Sequence, residues 1–343
     1  MFIYAGIDEA GYGPLLGPLL IGRSIFAFHA EDSQSYQWDN LPNVWNLLEK
    51  AVTRKLVGRK HRITIGDSKK LITKAAGVKH LETGLLSFAK LTPSWKKYAA
   101  PNDPTEAAIS LSSLFDLFGE QSHHDLSGMP WYEVNESHPW QLLPTASEAG
   151  EIAIASGMLK REMAQVGIEI LDLGAAVVFE NRFNQMATAT RNKASTSFTF
   201  VAQHLHHIWQ NHGTHNPCVC VDRQGGRTRY LRVLQTNFPD ASIRILDEST
   251  DRSAYQLTQD NRQMCITFET KGEDKHFPIA LASMVCKYSR ELLMHRINTF
   301  FQSHAPELKP TKGYTQDGRR FLEDLAPLLP SLQIAAEDMM RIL

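Results

Sequence analysis

Cysteine is scarce: only Cys218, Cys220, Cys265 and Cys286 occur in 343 residues. In a chain of this size they make no disulfide framework of the secreted kind, and a reducing cytoplasm is the expected compartment. No apolar run approaches the ~18 residues a membrane-spanning helix needs. Asp8 and Glu9 interrupt the first apolar stretch, so neither a membrane span nor a cleaved leader is expected. Charge of one sign is lacking too. A formal net charge of -1 excludes a uniformly basic nucleic-acid binder, so any site for a polyanion has to be local. Internal repeats are also missing.

What is present is the composition of a soluble globular protein, 43% hydrophobic and 21% charged, in a chain long enough for one large or two ordinary domains. A local basic run exists: Arg54, Lys55, Arg59, Lys60, Arg62, Lys69 and Lys70 are accompanied only by Asp67. It reads either as a solvated face or as a set of phosphate contacts. The segment Ala5-Gly6-Ile7-Asp8-Glu9-Ala10-Gly11-Tyr12-Gly13-Pro14 places two carboxylates where an apolar strand ends. Adjacent side chains on a strand diverge, so both acids serve one site only if the chain bends. Gly11 and Gly13 permit the bend and leave N–H groups open to a sugar hydroxyl or a phosphate oxygen. A solvated Asp-Glu turn is the plain alternative.

Residues 2–9 and 18–28 read as two strands joined by the glycine-rich turn. A helix is expected over residues 40–56, from the spacing of Val44, Leu47, Leu48, Val52 and Leu56, and a short strand over 62–65. Further strands are expected at 168–173, 175–179, 219–222, 242–246 and 264–268, and helices at 148–166, 194–210 and 279–301. Strands followed by strands alternating with helices argue for a mixed α/β sheet covered by helices.

Five segments occur in a suggestive order: the opening with Gly17-Pro18 soon after it, Asp67-Ser68-Lys69-Lys70-Leu71, Val219-Cys220-Val221-Asp222, Lys271-Gly272-Glu273-Asp274-Lys275 with the helix after it, and Lys312-Gly313-Tyr314-Thr315. Together they resemble type 2 ribonuclease H, the bacterial ribonuclease HII family, whose blocks are G-x-D-E-A-G-R-G, D-S-K-x-L, a strand-end Asp, K-G-D with A-K-x-x-R-D, and H-K-G-Y. The resemblance implies a ribonuclease H-like fold: residues 1–72 and 168–290 would form the core, 73–167 an insertion or subdomain, and 291–343 a helical region closing one side of the substrate groove. It implies two Mg²⁺ or Mn²⁺ ions, about 3.5–4 Å apart, held by Asp8, Glu9, Asp222 and an acid near 273. Gly11, Tyr12 and Gly13 would sense the ribose 2′-hydroxyl, Ser68, Lys69 and Lys70 would contact the strand, and Tyr314 would stack on a sugar.

Two departures stand out. The family's K-G-D acid aligns with Glu273, and Asp274 follows one place later, so either can be the fourth ligand. Tyr12 replaces the Arg of G-R-G, which removes one phosphate-neutralising charge, worth about 0.9 in the log–log salt slope; it stacks on the substrate or simply packs. Lys287 and Arg290 match the A-K-x-x-R helix, with Cys286 for Ala and Glu291 for Asp. Three other features are discounted. His204, His206, His207, His212 and His215 with Cys218 and Cys220 fit no standard zinc spacing; Met294, Ile297, Phe300 and Phe301 read as core rather than as a sliding-clamp peptide; Trp95, Trp131, Tyr132 and Trp140 read as the core of the inserted segment rather than as a stacking platform.

The function so implied is a metal-dependent endoribonuclease acting on RNA/DNA hybrids or on ribonucleotides in duplex DNA, leaving 3′-hydroxyl and 5′-phosphate ends. A hybrid-binding protein with weak or no catalysis, using its insertion for a protein partner, and a DNA nuclease or resolvase of the same superfamily are the alternatives.

Overall fold

The computed structural model describes residues 1–29, 35–56, 62–101, 103–120, 126, 128–133, 139 and 141–342. Arg59, Lys60 and Trp140 lie outside them. Strands β1 (Phe2–Ala10) and β2 (Leu19–Phe28) form an antiparallel pair around the glycine-rich turn, as expected. The next segment departs from expectation. Helix α1 is a single turn (Val44–Leu47), after which the chain turns into β3 (Val52–Thr53), paired in parallel with β4 (Ile63–Thr64). The break has a cause in a distant residue: the Glu162 carboxylate accepts the N–H groups of Lys50 at 2.8 Å and Ala51 at 2.5 Å, satisfying backbone that a continued helix would have paired internally.

Then come α2 (Ser68–Leu71), α3 (Lys79–Ala89), α4 (Trp95–Tyr98), β5 (Ile109–Ser110), α5 (Leu111–Leu117), β6 (Leu142–Leu143) and α6 (Ala149–Gln165). Strand β7 (Ile168–Val178) is continuous where two strands were expected, because Gly174 is not a break. A Cβ there would meet Arg23 Cζ at 2.2 Å, so the missing side chain makes room for the Arg23 guanidinium. Helices α7 (Glu180–Thr190) and α8 (Lys193–His212), strand β8 (Cys218–Asp222), helix α9 (Leu231–Asn237) and strands β9 (Ser242–Glu248), β10 (Arg252–Gln259) and β11 (Arg262–Glu269) follow. Helices α10 (Gly272–Lys275), α11 (Phe277–His304), α12 (Thr315–Leu325) and α13 (Ala336–Met339) complete the chain.

The seven main strands form one mixed sheet in the order β7-β2-β1-β8-β11-β10-β9. β1, β8 and β11 pair in parallel, while β2 and β10 run against them, and the edge strands β7 and β9, antiparallel to β2 and β10, run with the central three. This is the mixed α/β sheet flanked by helices that the sequence pattern called for. Strand alternation assigns the faces. Phe2 and Tyr4 point to the side covered by α11, α3 and α6; Ile3, Ala5 and Ile7 point to the side covered by α7, α8 and α9. Helix α11 is buried along most of its length and approaches β1 so closely that a Cβ on Gly6 would meet Pro278 and Ile279 backbone at 2.2 Å. Trp95, Trp131 and Tyr132 are buried and belong to the same hydrophobic cluster as the α11 face of the sheet. Met294, Ile297 and Phe301 are buried in it too. Among the described residues no helix is long and apolar enough to cross a membrane.

Candidate active site

The three parallel strands end together. Ile7 pairs with Val221 and Glu269 with Asp222, so Asp8 and Asp222 leave the sheet side by side at its carboxyl edge, the usual place for a site in an open α/β sheet. Alternation sends both toward α11, since Cys218 and Cys220 share that face with Phe2 and Tyr4. Glu9 diverges to the α8 face. There its Oε2 accepts from the Ser197 hydroxyl at 2.6 Å and from Gln224 Nε2 at 2.9 Å, and Gln224 Nε2 also lies 2.7 Å from Ser197 Oγ. Glu9 still reaches the cleft of Asp8, because both sit where the strand gives way to the turn.

The third strand delivers its acid one step later. Past Glu269, Lys271 adopts a left-handed conformation (φ 55°) that reverses the chain into α10, and the Gly272 N–H donates to Asp222 Oδ1 at 2.7 Å. This brings Glu273 into the cleft, where its Oε2 accepts from Ser283 on α11 at 3.2 Å. The turn is anchored from behind by Glu269, whose carboxylate meets Lys275 at 2.5 Å and His276 at 2.8 Å.

The cleft, of about 300 Å³, is lined by Asp8, Glu9, Asp222 and Glu273, by the turn Gly11 to Pro14, by Ser68, Lys69, Lys287 and Arg290, and by Tyr314. Every expected site residue is therefore in one place except Lys70 and Asp274. Those two line an adjoining cleft with Trp45 and Arg54, and Glu273 lies between the two clefts and lines both. Lys70 is exposed and paired with Asp67 at 2.9 Å, and the Asp274 carbonyl accepts from Arg54 at 3.2 Å. Ser68 is engaged within the protein, its hydroxyl 3.0 Å from that of Ser283. Tyr12 is half-buried, with Lys193 Nζ 5.4 Å from its ring centre. Tyr314, part of the cleft lining, is 53% exposed. Its segment is tied to the turn by the Gly313 carbonyl, which accepts from Leu15 N at 2.8 Å and Leu16 N at 3.1 Å. Gly11 has to be glycine: its φ is 86°, and a Cβ would meet the Pro18 carbonyl at 2.6 Å.

Sequence reasoning did not find Ser197, Gln224, Lys193 or Arg341. The first two are polar residues whose partner, Glu9, lies about two hundred positions away, and no local pattern marks them. In the histidine-rich stretch, His204 is engaged within the protein: its Nδ1 accepts from Arg23 Nη1 and its Nε2–H donates to the Ile21 carbonyl, both at 2.9 Å. Burial and the Arg23 charge hold its pKa down at about 3, so it is neutral.

The electrostatics are those of crowded acids. Burial pushes Asp8 well above the usual carboxylate range, and the charges of Asp222 and Glu273 push it further. Glu9, Asp222 and Glu273 are raised as well, each chiefly by burial; Ser197 and Gln224 pull Glu9 back, the Gly272 N–H and Lys69 pull Asp222 back, and Lys69 and Ser283 oppose the rise at Glu273. Among the described residues, no three His, Cys, Asp or Glu side chains close up as a ready metal-ligand set. The donors themselves suit a hard divalent cation. They are all oxygen, and a cation would offset both the burial that chiefly raises the three acids on the α11 face and the carboxylate repulsion that adds to it.

No protein-family model matches the chain, and no curated protein matches it. Similar solved structures include the ribonuclease HII of Archaeoglobus fulgidus, in complex with PCNA (14% identity, 99% of this chain and 94% of that one, TM-score 0.41). The Aquifex aeolicus ribonuclease H3 (10%, 98% and 70%, 0.40) is a second, and a Bst ribonuclease HIII with Mn²⁺ (10%, 99% and 66%, 0.41) a third. All three are type 2 ribonucleases H, the group that the order of motifs resembles. Likenesses at these scores carry no functional argument, which rests on the cleft.

Proposed function

We propose that this chain is a metal-dependent endonuclease that hydrolyses the phosphodiester at a ribonucleotide, in the RNA strand of an RNA/DNA hybrid or embedded in duplex DNA, leaving 3′-hydroxyl and 5′-phosphate ends. One observation carries the reading: Asp8, Asp222 and Glu273 on one face of the sheet edge and Glu9 from the other line a single cleft, bordered by the open turn Gly11 to Gly13.

In this reading the four carboxylates hold Mg²⁺ or Mn²⁺. Cations held there supply an activated water and neutralise charge on the leaving oxygen. The rest falls to the protein. Ser197 and Gln224 fix the Glu9 carboxylate, Ser283 orients Glu273, and the Gly272 N–H sets Asp222. Lys69 supplies positive charge for the phosphate. The turn offers backbone N–H groups to the 2′-hydroxyl, and the exposed Tyr314 ring stacks on a neighbouring sugar. Shape and the 2′-hydroxyl, not base sequence, then set specificity. Glu273, not Asp274, is the fourth acid, since Glu273 lines this cleft beside Asp8 and Asp222 whereas Asp274 lines only the adjoining one. The cytoplasm is the compartment proposed, in keeping with four free, buried cysteines.

The test is incubation with Mg²⁺ or Mn²⁺ and a duplex carrying one ribonucleotide, beside an all-DNA control. Cleavage of the first alone, lost in Asp8→Asn, supports the reading. Cleavage of both duplexes supports a DNA nuclease, and tight binding without product supports a hybrid-binding protein.

A further inference from the structure

Residues 340–342 cross behind the glycine-rich turn and are pinned there at several points. Met340 bridges to Leu16, and the Arg341 N–H donates to the Leu15 carbonyl at 2.9 Å. Asn184 clasps the segment from the other side, donating to the Met340 carbonyl and accepting from the Ile342 N–H, both at 2.7 Å. The Arg341 side chain is only 2% exposed. Its guanidinium lies 5.0 Å from the Phe183 ring centre, and Nη2 donates to the carbonyls of both Gly11 and Pro14. Among the described residues no salt bridge holds it and its Nε and Nη1 find no hydrogen-bond partner, although the buried Glu180 lies nearby with Oε2 likewise unpaired.

A buried cation spent on two main-chain carbonyls fixes the orientation of two peptide planes. A trans peptide directs its C=O and N–H to opposite sides. For the Pro14–Leu15 peptide the opposite side is visible: Pro14 O meets Arg341 and Leu15 N–H meets the Gly313 carbonyl. For the Gly11–Tyr12 peptide, holding the carbonyl inward aims the Tyr12 N–H the other way. That side is the cleft, whose lining includes Gly11, Tyr12 and Gly13 and excludes Arg341. Glu180 adds a second brace, accepting from the Gly17 N–H and the Tyr132 hydroxyl, each at 3.0 Å.

We propose that Arg341 is the positioning residue for recognition of the ribose 2′-hydroxyl: by pulling the Gly11 and Pro14 carbonyls behind the turn, it presents the Tyr12 N–H to that hydroxyl. The inference rests on the hydrolase reading above and adds to it a specificity determinant far from the four acids in sequence. Because Arg341 is buried, it contributes shape to the turn and no contact to phosphate.

The experiment uses the full chain with Ca²⁺, which supports binding without turnover in this reading, and measures affinity for a duplex with one ribonucleotide and for its all-DNA counterpart. In Arg341→Met the ratio of the two affinities falls by about tenfold, the worth of one charge-assisted hydrogen bond's ordering, while all-DNA affinity and its salt slope stay as in the parent. Arg341→Lys, which can still reach one carbonyl, retains part of the ratio. Hydrogen exchange of the turn amides quickens in Arg341→Met. Asn184→Ala, which loosens the segment without touching the guanidinium, gives a smaller drop and guards against a simple folding defect in Arg341→Met. An unchanged ratio in a folded Arg341→Met, or an equal loss for both duplexes, overturns the inference while the hydrolase reading stands. A parent protein with no preference for the ribonucleotide overturns both.

Discussion

Asp222 Oδ1 accepts the Gly272 N–H at 2.7 Å, so the end of one parallel strand holds the turn that presents Glu273. Through that bond, acids about fifty positions apart are set relative to each other by the fold itself. The same economy appears at Glu9, whose carboxylate is gripped by Ser197 and Gln224 from two different elements.

The acids are crowded at a cost in stability. A carboxyl whose folded pKa is raised destabilises the fold once the pH exceeds its unfolded value, and each unit of rise is worth about 1.4 kcal/mol. Without divalent cations, Asp8→Asn therefore melts higher than the parent near neutral pH, by a few degrees for each such unit. With Mn²⁺ the parent gains more in melting temperature than the variant does. Calorimetry with and without Mn²⁺ reads both. In the cleavage assay the same variant loses roughly 10²–10³-fold or more, the scale of removing a preorganised electrostatic group.

Ser197→Ala and Gln224→Leu leave the four acids in place but free Glu9 to rotate. The Mn²⁺ concentration for half-maximal activity rises by about 10–100-fold, as for other residues that orient metal ligands. Titration of the cleavage rate with Mn²⁺ measures it, and the effect of the double variant is less than the product of the singles because both act on one carboxylate.

The fourth acid is separable. Glu273→Gln shifts the metal requirement and Asp274→Asn does not, since of the two only Glu273 lines the cleft that holds Asp8, Glu9 and Asp222. The same titration decides between them, and a shift in the Asp274 variant alone reverses the assignment.

Much of this was legible in the sequence because the parts that matter are local. Phe2–Ala10 alternates between two buried faces and ends in its acids, and each of the five motif segments carries its own strand end or turn. Where the reading failed, a distant residue was in control. Val44, Leu47, Leu48 and Val52 keep helical spacing, yet Glu162 caps the chain at Lys50 and Ala51 and turns it into β3. Strand β10 was missed because its Gln256 and Thr258 dilute the apolar signal, and it is held by β9 and β11 on either side. Helix α7, rich in Asn, Gln and Thr, gives little periodic signal of its own. Gly174 looked like a strand break and is instead a seat for Arg23.

That seat has a measurable consequence. Arg23 Nε bonds Asp172 Oδ2 at 2.7 Å. Burial would raise Asp172, but the His207 hydrogen bond and the Arg23 charge outweigh it and hold its pKa at about 2. The folded pKa is below the unfolded one, so the pair stabilises the fold above about pH 4 and the contribution is lost as the pH falls from there toward the folded value. Asp172→Asn costs about 3 kcal/mol near neutral pH, because it strands a buried guanidinium, and progressively less in acid. Urea denaturation across that range checks the sign; a constant difference contradicts it.

The most direct test is anomalous diffraction from crystals soaked in Mn²⁺. The account predicts Mn²⁺ density bounded by the carboxylates of Asp8, Asp222 and Glu273, with Glu9 reaching it from the α8 side. Mn²⁺ bound elsewhere with this cleft empty, or density held by Asp274 in place of Glu273, contradicts it.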